Sequence, residues 1–540
     1  MKKIFIFLLV LAILACGCNL NGSAGYTPDI DWPTGPMPVI PTPTDPVPTD
    51  PTGPAATDPT GPRPTDPPPT GPAPVDPEEC TAHKDGNNDG YCDDCHTYVI
   101  IYIDFYSIND LHGKLADGDN HPGVDELTTY LKNARNTDDY VVLLSAGDMW
   151  QGQAESNMTK GKIITDWMNA LDFAAMTIGN HEYDWGSEFI RENKAIAQFP
   201  LLAINIYDRT TNQRVDYCDA STVIEVGGLQ IGIIGAIGNH YSSIAVDKSA
   251  DVYFKTGSEL TNLVKAESTR LRNQGVDFIV YAIHSDSEDY DTSLSSGGYI
   301  DLVFEAHTHQ GYTTKDSYGV YHLQNRGDNQ DGISHAEIAI NTVTNAYTVE
   351  QAGQISKTAY QNLADDPIVN QLMQKYDDIL SSAYEVLGYN RTKRDSTALG
   401  NIVAQLYYEA GVKKWGDKYD IVLGGGSLNP RSPYNLPVGD VTYADLQSLF
   451  TFDNEIMLCS IKGSYLKSRF FNNSDYRLYY ESYGQSVKNS INSNATYYVI
   501  VDSWTGLYDY NHMTVVEYYD AGVFARDLLA EYVRQGGLAE

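Results

Sequence analysis

The sequence has 540 residues and a formal net charge of −35. A chain of this length divides into two or more domains, because single hydrophobic cores stop growing at about 250–300 residues. The acidic charge argues against a protein that binds polymeric nucleic acid, since contacts to phosphates require Lys and Arg. Hydrophobic residues make up 42% of the chain, which is enough for large buried cores.

The N-terminus has the pattern of an export signal. Two lysines precede an apolar stretch at residues 4–14, which is too short to span a bilayer as a helix. The stretch ends in "ILACGC", and a small residue before cysteine is typical of a lipoprotein signal. We predict a signal peptide over residues 1–16 with lipidation at Cys16, the alternatives being Cys18 and plain secretion. The predicted location is outside the cytoplasm, at the cell surface or in the periplasm, with the lipid as the only membrane attachment.

Residues 17–79 are rich in Pro, Thr, Asp and Gly, and they repeat the units "PTDP" and "PTGP". A segment of this composition cannot bury a core, and its prolines favour an extended polyproline II conformation. The sequence therefore predicts a disordered stalk between the lipid and the folded part of the chain.

Residues 80–96, "CTAHKDGNNDGYCDDCH", contain two kinds of metal-binding pattern. The paired two-residue spacing of a zinc site is formed by Cys80, His83, Cys92 and Cys95. The first half of an EF-hand calcium loop is matched by Asp85, Asn87 and Asp89. His96 stands where the closing Glu of that loop belongs, and a disulfide is the competing use of two cysteines in an exported chain. Zinc, calcium and a disulfide remain open for this module.

Residues 98–350 alternate apolar runs with helical patterns, which predicts a layered α/β domain. Six runs are predicted to be buried strands: 98–106, 140–148, 174–180, 229–238, 277–285 and 300–309. Residues 124–135 have helical spacing of apolar side chains. A connecting helix is predicted over residues 365–388, with Asp366 as N-cap and Pro367 at its first position. A second α/β domain follows over residues 389–540 and closes with a helix over 521–537.

Five of the six predicted strands end in Asp, Asn or His, at the carboxyl ends where open α/β sheets place their binding crevice. These side chains are Asp110, His112, Asp148, Asn180, His284, His307 and His309. Carboxylate, carboxamide and imidazole ligands together suit a hydrolytic site with two metal ions. Such a pair of ions needs one shared oxygen ligand, lowers the pKa of a bridging water and neutralises a phosphoryl group.

The motifs "ND-x-HG", "GD-x-x-QG" and "GNHE-x-DWG", in this order, resemble those of the two-domain 5′-nucleotidase family of calcineurin-type metallophosphoesterases. The resemblance covers roughly residues 100–535 and suggests a bacterial lipoprotein member. It implies an N-terminal four-layer αββα metallophosphoesterase domain at residues 98–350. A smaller α/β substrate-binding domain follows at residues 389–540.

The resemblance also assigns roles to the residues at the strand ends. One divalent cation is expected to be bound by Asp110, His112, Asp148 and His309. The other is expected to be bound by Asp148, Asn180, His284 and His307, so that Asp148 is shared. His181, oriented by Asp184, resembles the catalytic pair that stabilises charge on the phosphoryl oxygen or leaving group. Zn, Mn, Fe and Mg all remain open as the metal.

The second domain resembles the substrate-binding half of the family less cleanly. Residues 438–456 match it well and place Phe452 on a base-stacking aromatic, with Trp504 as the second ring. The remaining substrate-binding candidates are Asp509 and Arg431. The family arginine falls on Leu428, so Arg431 is a substitute, and core packing is the alternative role for both rings. "EAHTH" also replaces the usual Gly-Gly-His, with Glu305 and Ala306 in place of the two glycines.

Together these features predict an exported metal-dependent phosphoesterase that acts on nucleotides, with 5′-nucleotidase activity as the first expectation. The alternatives among enzymes are a 2′,3′-cyclic nucleotide phosphodiesterase and a UDP-sugar hydrolase. The alternative outside enzymes is a surface binding or adhesion protein with a vestigial site.

Overall fold

The computed structural model describes residues 80, 82–116, 123–138, 140–326, 332–428, 430, 435–480, 487–508 and 512–539. The predicted signal peptide with Cys16, the stalk, Arg431 and Asp509 lie outside these residues. In the described part of the chain, no helix is both long enough and apolar enough to cross a membrane.

In the residues that the structure describes, fourteen strands and eight α-helices form the first part of the fold. The strands are β1 (Ile100–Ile108), β2 (Val141–Ser145), β3 (Ala175–Thr177), β4 (Leu201–Leu202), β5 (Ile206–Asp208), β6 (Ser221–Val226), β7 (Leu229–Ile237), β8 (Val252–Phe254), β9 (Phe278–His284), β10 (Leu302–Glu305), β11 (Tyr312–Lys315), β12 (Tyr321–Gln324), β13 (Gly332–Asn341) and β14 (Tyr347–Ser356). The helices are α1 (Asp125–Thr137), α2 (Ala154–Thr159), α3 (Lys162–Ala170), α4 (Ser187–Ile196), α5 (Gly257–Asn273), α6 (Ser293–Ser296), α7 (Pro367–Lys375) and α8 (Asp377–Leu380).

Two six-stranded sheets pack face to face in this part. The first has the order β14-β13-β1-β2-β3-β4, and the second has the order β11-β12-β10-β9-β7-β6. Strands β1 to β4 run parallel in the first sheet, as do β7, β9, β10 and β12 in the second. The predicted ligands lie at the carboxyl ends of five of these parallel strands, β1, β2, β3, β9 and β10.

Hydrophobic side chains hold the layers together. Phe105 of the first sheet stacks on Phe278 of the second, with ring centroids 5.8 Å apart, inside one continuous cluster between the sheets. Leu131 of α1 and Trp167 of α3 cover the outer face of the first sheet, and Val264 of α5 covers the outer face of the second. The predicted four-layer αββα architecture is confirmed.

Over its described residues, the second part of the fold contains one larger sheet and one strand pair. Its strands are β15 (Val386–Asn390), β16 (Ile421–Gly426), β17 (Gly439–Thr442), β18 (Ile456–Lys462), β19 (Arg477–Tyr479), β20 (Thr496–Asp502) and β21 (Met513–Tyr518). Its helices are α9 (Ser396–Trp415), α10 (Tyr443–Leu449), α11 (Gly463–Tyr465), α12 (Val487–Ser490), α13 (Ser503–Tyr508) and α14 (Ala525–Arg534). The sheet has the order β19-β16-β20-β18-β21, and β15 pairs with β17. This is the smaller α/β domain that the resemblance implied.

The single helix predicted over residues 365–388 is wrong, because the structure breaks it at Tyr376 and begins a strand at Val386. Asp366 does cap α7, since its side chain accepts a 2.9 Å hydrogen bond from the Ile368 N–H, and Pro367 occupies the first turn. The helix ends before Tyr376, whose hydroxyl donates to Asp166 at 2.6 Å. The short helix α8 and a 3-10 turn (Ser381–Tyr384) follow, and the chain then enters β15, which pairs with β17.

The predicted strands 174–180 and 300–309 are shorter in the structure, where they become β3 and β10. The residues that follow β3 and β10 leave the sheet and carry the candidate ligands. An apolar run therefore predicts where each strand lies, whereas the polar residues at the end of the run lie beyond the strand, in the loop that carries the candidate ligands.

Candidate metal centre

The carboxyl ends of β1, β2, β3, β9 and β10 meet at one edge of the two packed sheets. There the structure brings together all seven predicted metal ligands, which are Asp110, His112, Asp148, Asn180, His284, His307 and His309. Most of these side chains are buried, so the polar cluster is enclosed by the two sheets and the loops above them.

The first group of ligands consists of Asp110, His112 and His309, whose ligand atoms all lie within 4.8 Å of one another. His112 donates its Nδ1–H to the Gln151 carbonyl at 2.9 Å, which leaves Nε2 as a ligand atom. That Nε2 lies 3.3 Å from the Nε2 of His309, so both imidazoles point to one position. The buried Oδ1 of Asp110 accepts no hydrogen bond from the described residues, a deficit that a bound cation would satisfy.

The second group consists of Asp148, His284 and His307, with the amide oxygen of Asn180 between the imidazoles. His284 donates Nδ1–H to the Ala146 carbonyl at 2.9 Å, so its Nε2 faces the site. The Asn180 Oδ1 lies 3.1 Å from the His284 Nε2 and 2.7 Å from the His307 Nδ1. This set of nitrogen and oxygen donors fits a second divalent cation.

Asp148 lies between the two groups. Its carboxylate converges with His284 and His307 on one side and with His112 and His181 on the other. Burial favours the neutral form of this carboxyl, but His284 and then His181 hold its pKa well below the usual range. Asp148 therefore stays charged while fully enclosed, as a shared ligand of two cations must.

The backbone is unusual at five of the seven ligands. Asp110, His112, Asp148, His307 and His309 all have φ between 51° and 77°, the left-handed region that non-glycine residues rarely adopt. Each such residue costs about 1–3 kcal/mol unless its surroundings impose the conformation. The surroundings of these residues are tightly packed. A Cβ built on Gly179, for example, would lie only 2.2 Å from the Asp148 Oδ1 and would clash with it. The loops are shaped by the placement of ligands rather than by local preference.

His181 and Asp184 are adjacent to the ligands in the arrangement expected of a catalytic pair. The Nδ1 of His181 lies 2.7 Å from the Asp184 Oδ2, and the His181 backbone N–H donates to Asp148 at 2.8 Å. The His181 ring is 5.0 Å from the ring of His112. Its side chain remains 20% exposed, close to the 18% of His309, and is therefore accessible to a substrate.

Glu182 organises the site, although the sequence analysis gave it no role. Its carboxylate accepts backbone N–H groups of Asp148 at 2.9 Å, Met149 at 2.8 Å, Trp150 at 3.3 Å and Gly179 at 2.7 Å. It thereby ties the loop after β2 to the loop after β3. The signal was present, because Glu182 lies inside the motif "GNHEYDWG".

His240 is a second residue that the sequence analysis missed. It follows β7, the one strand end that was not assigned to the site, and its ring stacks on His307 with centroids 3.8 Å apart. The signal was the Asn-His pair of "IGNHY", which repeats the pattern of the other strand ends.

The departure at "EAHTH" has a structural explanation. Glu305 is fully buried at the end of β10, where it accepts a 2.7 Å hydrogen bond from the Tyr312 hydroxyl and lies 3.1 Å from the His322 Nδ1. The Glu305 side chain thus occupies a polar pocket behind the site, and His307 and His309 still reach the ligand cluster.

Phe452 of the second domain faces the metal centre. Its ring stacks on His181 with centroids 5.8 Å apart and an interplanar angle of 29°, and the side chain is 40% exposed. Trp504, on α13, is 37% exposed. These exposures argue against the alternative that the two rings are core residues.

The loop that carries Phe452 is held from both sides. Gln151 donates to the Thr451 hydroxyl at 2.6 Å, and the Lys160 Nζ lies 2.5 Å from the Asp453 carboxylate. Arg526 also pairs with Asp453 and donates to the Phe452 carbonyl at 3.0 Å. Phe452 is thereby fixed beside the candidate catalytic histidine.

Comparison with known proteins assigns both parts of the chain. Residues 104–311 match the model of the calcineurin-like phosphoesterase family, and residues 381–490 match the 5′-nucleotidase C-terminal domain. An apyrase of Tabanus yao is 25% identical over 405 residues, which are 67% of this chain and 72% of the apyrase. A 5′-nucleotidase of Diplobatis ommata is 23% identical over 404 residues, which are 67% of this chain and 69% of that protein.

The fold is also similar to solved structures. A 5′-nucleotidase precursor from Thermus thermophilus superposes with a TM-score of 0.60, at 17% identity, over 80% of this chain and 96% of its own. At this identity the likeness establishes the fold.

Glu182→Ala is expected to weaken metal binding, because four backbone N–H groups that shape the two ligand loops lose their acceptor. Each buried donor left unsatisfied costs about 1–3 kcal/mol, so the free energy of unfolding falls as well. Metal retained after dialysis and urea unfolding measure the two effects. Glu188→Ala, which removes an exposed carboxylate of α4, is the matched control. Unchanged metal retention in Glu182→Ala would contradict the role of Glu182.

Proposed function

Because the chain belongs to the two-domain 5′-nucleotidase family, with a calcineurin-like phosphoesterase domain and a 5′-nucleotidase C-terminal domain, we propose that it releases phosphate from nucleotides. The observation that carries the proposal is that the metal-ligand cluster lies beside an exposed aromatic ring. The Asp148 carboxylate lies within 4.8 Å of the ligand atoms of His112 on one side and of His284 and His307 on the other, and the exposed ring of Phe452 stacks on His181.

The ligand groups supply the hydrolytic part of the proposal. Asp110, His112 and His309 would hold one cation, and the Asn180 group would hold the other, with Asp148 shared. Two bound divalent cations would polarise a phosphoryl group and would lower the pKa of a bound water toward neutral values. The seven convergent ligands argue against a vestigial site in a binding or adhesion protein.

His181 supplies charge stabilisation in this account. The Asp184 carboxylate accepts the Nδ1–H of His181, which leaves Nε2 as the ring atom proposed to interact with a phosphoryl or leaving-group oxygen. A group of this kind contributes typically 10²–10⁴-fold to the rate. Asp184 fixes the orientation of the ring and takes no proton from the substrate.

Phe452 and Trp504 supply recognition of the base. Stacking of a base on an aromatic side chain is worth about 1–3 kcal/mol per base, and both rings are exposed enough to stack. Two relatives are named an apyrase and a 5′-nucleotidase, so nucleotides are the substrate class to test first. A 5′-nucleoside monophosphate is our first candidate, with cyclic nucleotides and nucleotide sugars as alternatives.

We place this activity outside the cytoplasm. The support is the N-terminal signal pattern with Cys16 as the lipidated residue. An enzyme held at the cell exterior would act on extracellular nucleotides and release nucleosides for uptake.

A phosphate-release screen tests the proposed function. Mono-, di- and triphosphates, 2′,3′-cyclic nucleotides and UDP-sugars are compared on the full chain and on Asp148→Ala, each with its metal content measured. We expect release from a nucleotide that depends on added divalent cations and is abolished in Asp148→Ala. Release from none of these compounds by the metal-loaded protein would overturn the proposal.

His181→Ala is expected to keep both metals but to lower kcat by about 10²–10⁴-fold, since it removes a charge-stabilising donor and no ligand. Metal analysis and steady-state kinetics on the same preparation separate the two roles. Loss of a metal ion would show instead that His181 is a ligand.

Phe452→Ala is expected to raise KM for nucleotides while leaving hydrolysis of a small aryl phosphate nearly unchanged, because the aryl ester has no base to stack. The ratio of the two kcat/KM values isolates binding from chemistry. Tyr389→Ala, which removes an exposed aromatic on β15, is the control. Equal losses on both substrates would mean that Phe452 acts on His181 rather than on a base.

A further inference from the structure

The module formed by residues 80–96 plays no part in the proposed hydrolysis, yet it contains a second convergent ligand cluster. The Sγ atoms of Cys80, Cys92 and Cys95 and the Nδ1 of His83 all lie within 4.8 Å of one another. We propose that these four side chains form a structural zinc site.

The distances within the cluster match one tetrahedral ion. With Zn–S of about 2.3 Å and Zn–N of about 2.0–2.1 Å, tetrahedral geometry places two sulfurs ~3.8 Å apart and a sulfur and a nitrogen ~3.6 Å apart. The Sγ atoms of Cys80 and Cys92 are 3.8 Å apart. The His83 Nδ1 lies 3.6 Å from the Cys80 Sγ and 3.4 Å from the Cys95 Sγ.

The composition of the cluster favours zinc over a disulfide. The three cysteines are unpaired thiols, and a disulfide between any two would leave the third sulfur and His83 without a function in the cluster. Three thiolates and one imidazole are a standard closed ligand set for structural zinc. The Lys84 backbone N–H also points at the Cys92 Sγ, at 3.4 Å, where it would stabilise a thiolate.

The acidic residues between the ligands serve the turn instead. Both oxygens of Asp85 accept hydrogen bonds, from the Asp89 N–H at 3.1 Å and from the Gly90 N–H at 3.0 Å. The Asn341 side chain donates to the same carboxylate at 2.5 Å. These bonds fold the loop so that its two ends bring the ligand pairs Cys80/His83 and Cys92/Cys95 together. They use the oxygens that the calcium-loop prediction would assign to an ion.

The module is too small to fold by burying apolar surface. In the described residues, the only buried hydrophobic side chains that it contributes to its cluster are Cys92 and Cys95, which pack with Val99 of the following chain and with Cys80 and Val343 at the edge. Domains below about 40 residues usually need a metal, a disulfide or a partner. A metal bound by four side chains of the module supplies that missing stability.

The position of the module indicates what a bound metal would stabilise. The Val99 N–H donates to the Gly90 carbonyl at 2.9 Å, and the Thr342 N–H donates to the Val99 carbonyl at 2.8 Å. The cluster thus fastens the chain before β1 to the turn between β13 and β14. Asp110 follows the other end of β1. The nine residues of β1 span about 30 Å at ~3.3 Å per residue, so the proposed zinc site is remote from the candidate metal centre.

Cobalt substitution of the full chain distinguishes this site from the metal centre. Thiolate ligands give Co²⁺ an intense charge-transfer absorption in the near ultraviolet, and no cysteine belongs to the candidate catalytic ligands. We expect this absorption in the wild type and its loss in Cys95→Ser. The variant should also hold one zinc equivalent fewer and retain its kcat. Cys218→Ala, which removes a buried thiol outside the cluster, should keep the absorption.

Three results would overturn the proposal, and two of them need only the wild-type protein. The first is an intact mass that is two hydrogens lighter than the fully reduced chain, with no cobalt–thiolate absorption, which would establish a disulfide. The second is calcium, and no zinc, retained by the wild type. The third is a full zinc content in Cys95→Ser. Because failure of the phosphate-release screen changes none of these readouts, the two proposals stand or fall separately.

Discussion

The Asp148 carboxylate is the group on which the rest of the candidate site depends. An ionised carboxylate enclosed between two sheets is costly unless charges and hydrogen bonds compensate its lost hydration. Here His284 and the His181 N–H supply that compensation directly, and Glu182 holds the loop that presents Asp148. The left-handed backbone at the ligands follows from the same demand, because the loops must bring donors from two sheets to one carboxylate.

The ligands around Asp148 come from both sheets of the layered architecture. Ligands from β1, β2 and β3 lie in one sheet, whereas His284 and His307 come from β9 and β10 of the other. The apolar cluster between the sheets fixes the distance between these two sets of strand ends. A closely packed interior transmits small changes of volume. The core therefore determines the geometry of the site as well as the stability of the domain.

The second domain is joined to the first at the point where recognition would take place. Asp453 is paired with Lys160 of the first domain and with Arg526 of its own. Between these anchors and Thr451, the ring of Phe452 stands against His181. The contacts that join the domains also position the aromatic ring proposed to bind the base, so recognition and chemistry are coupled through a few residues.

The architecture and the set of converging ligands could both be predicted from the sequence, because both depend on short local patterns of residues. Apolar runs located the six strands, and Asp, Asn and His at their ends located the ligands. The roles of Glu182 and Glu305 were not predictable, since each depends on partners that only the folded chain brings near. Tyr376, which follows the last residue of α7, likewise meets its partner Asp166 only in the folded chain. In the module at residues 80–96, spacing alone left three chemistries open, and the distances between the ligand atoms favour one.

The most direct test of the central claim is anomalous diffraction from crystals of the manganese-loaded protein. The account predicts two manganese peaks at the carboxyl edge of the sheets, one beside Asp110 and His309 and one beside Asn180 and His284. Both should contact the carboxylate of Asp148. A single peak, or two peaks of which only one contacts Asp148, would contradict the shared-ligand site.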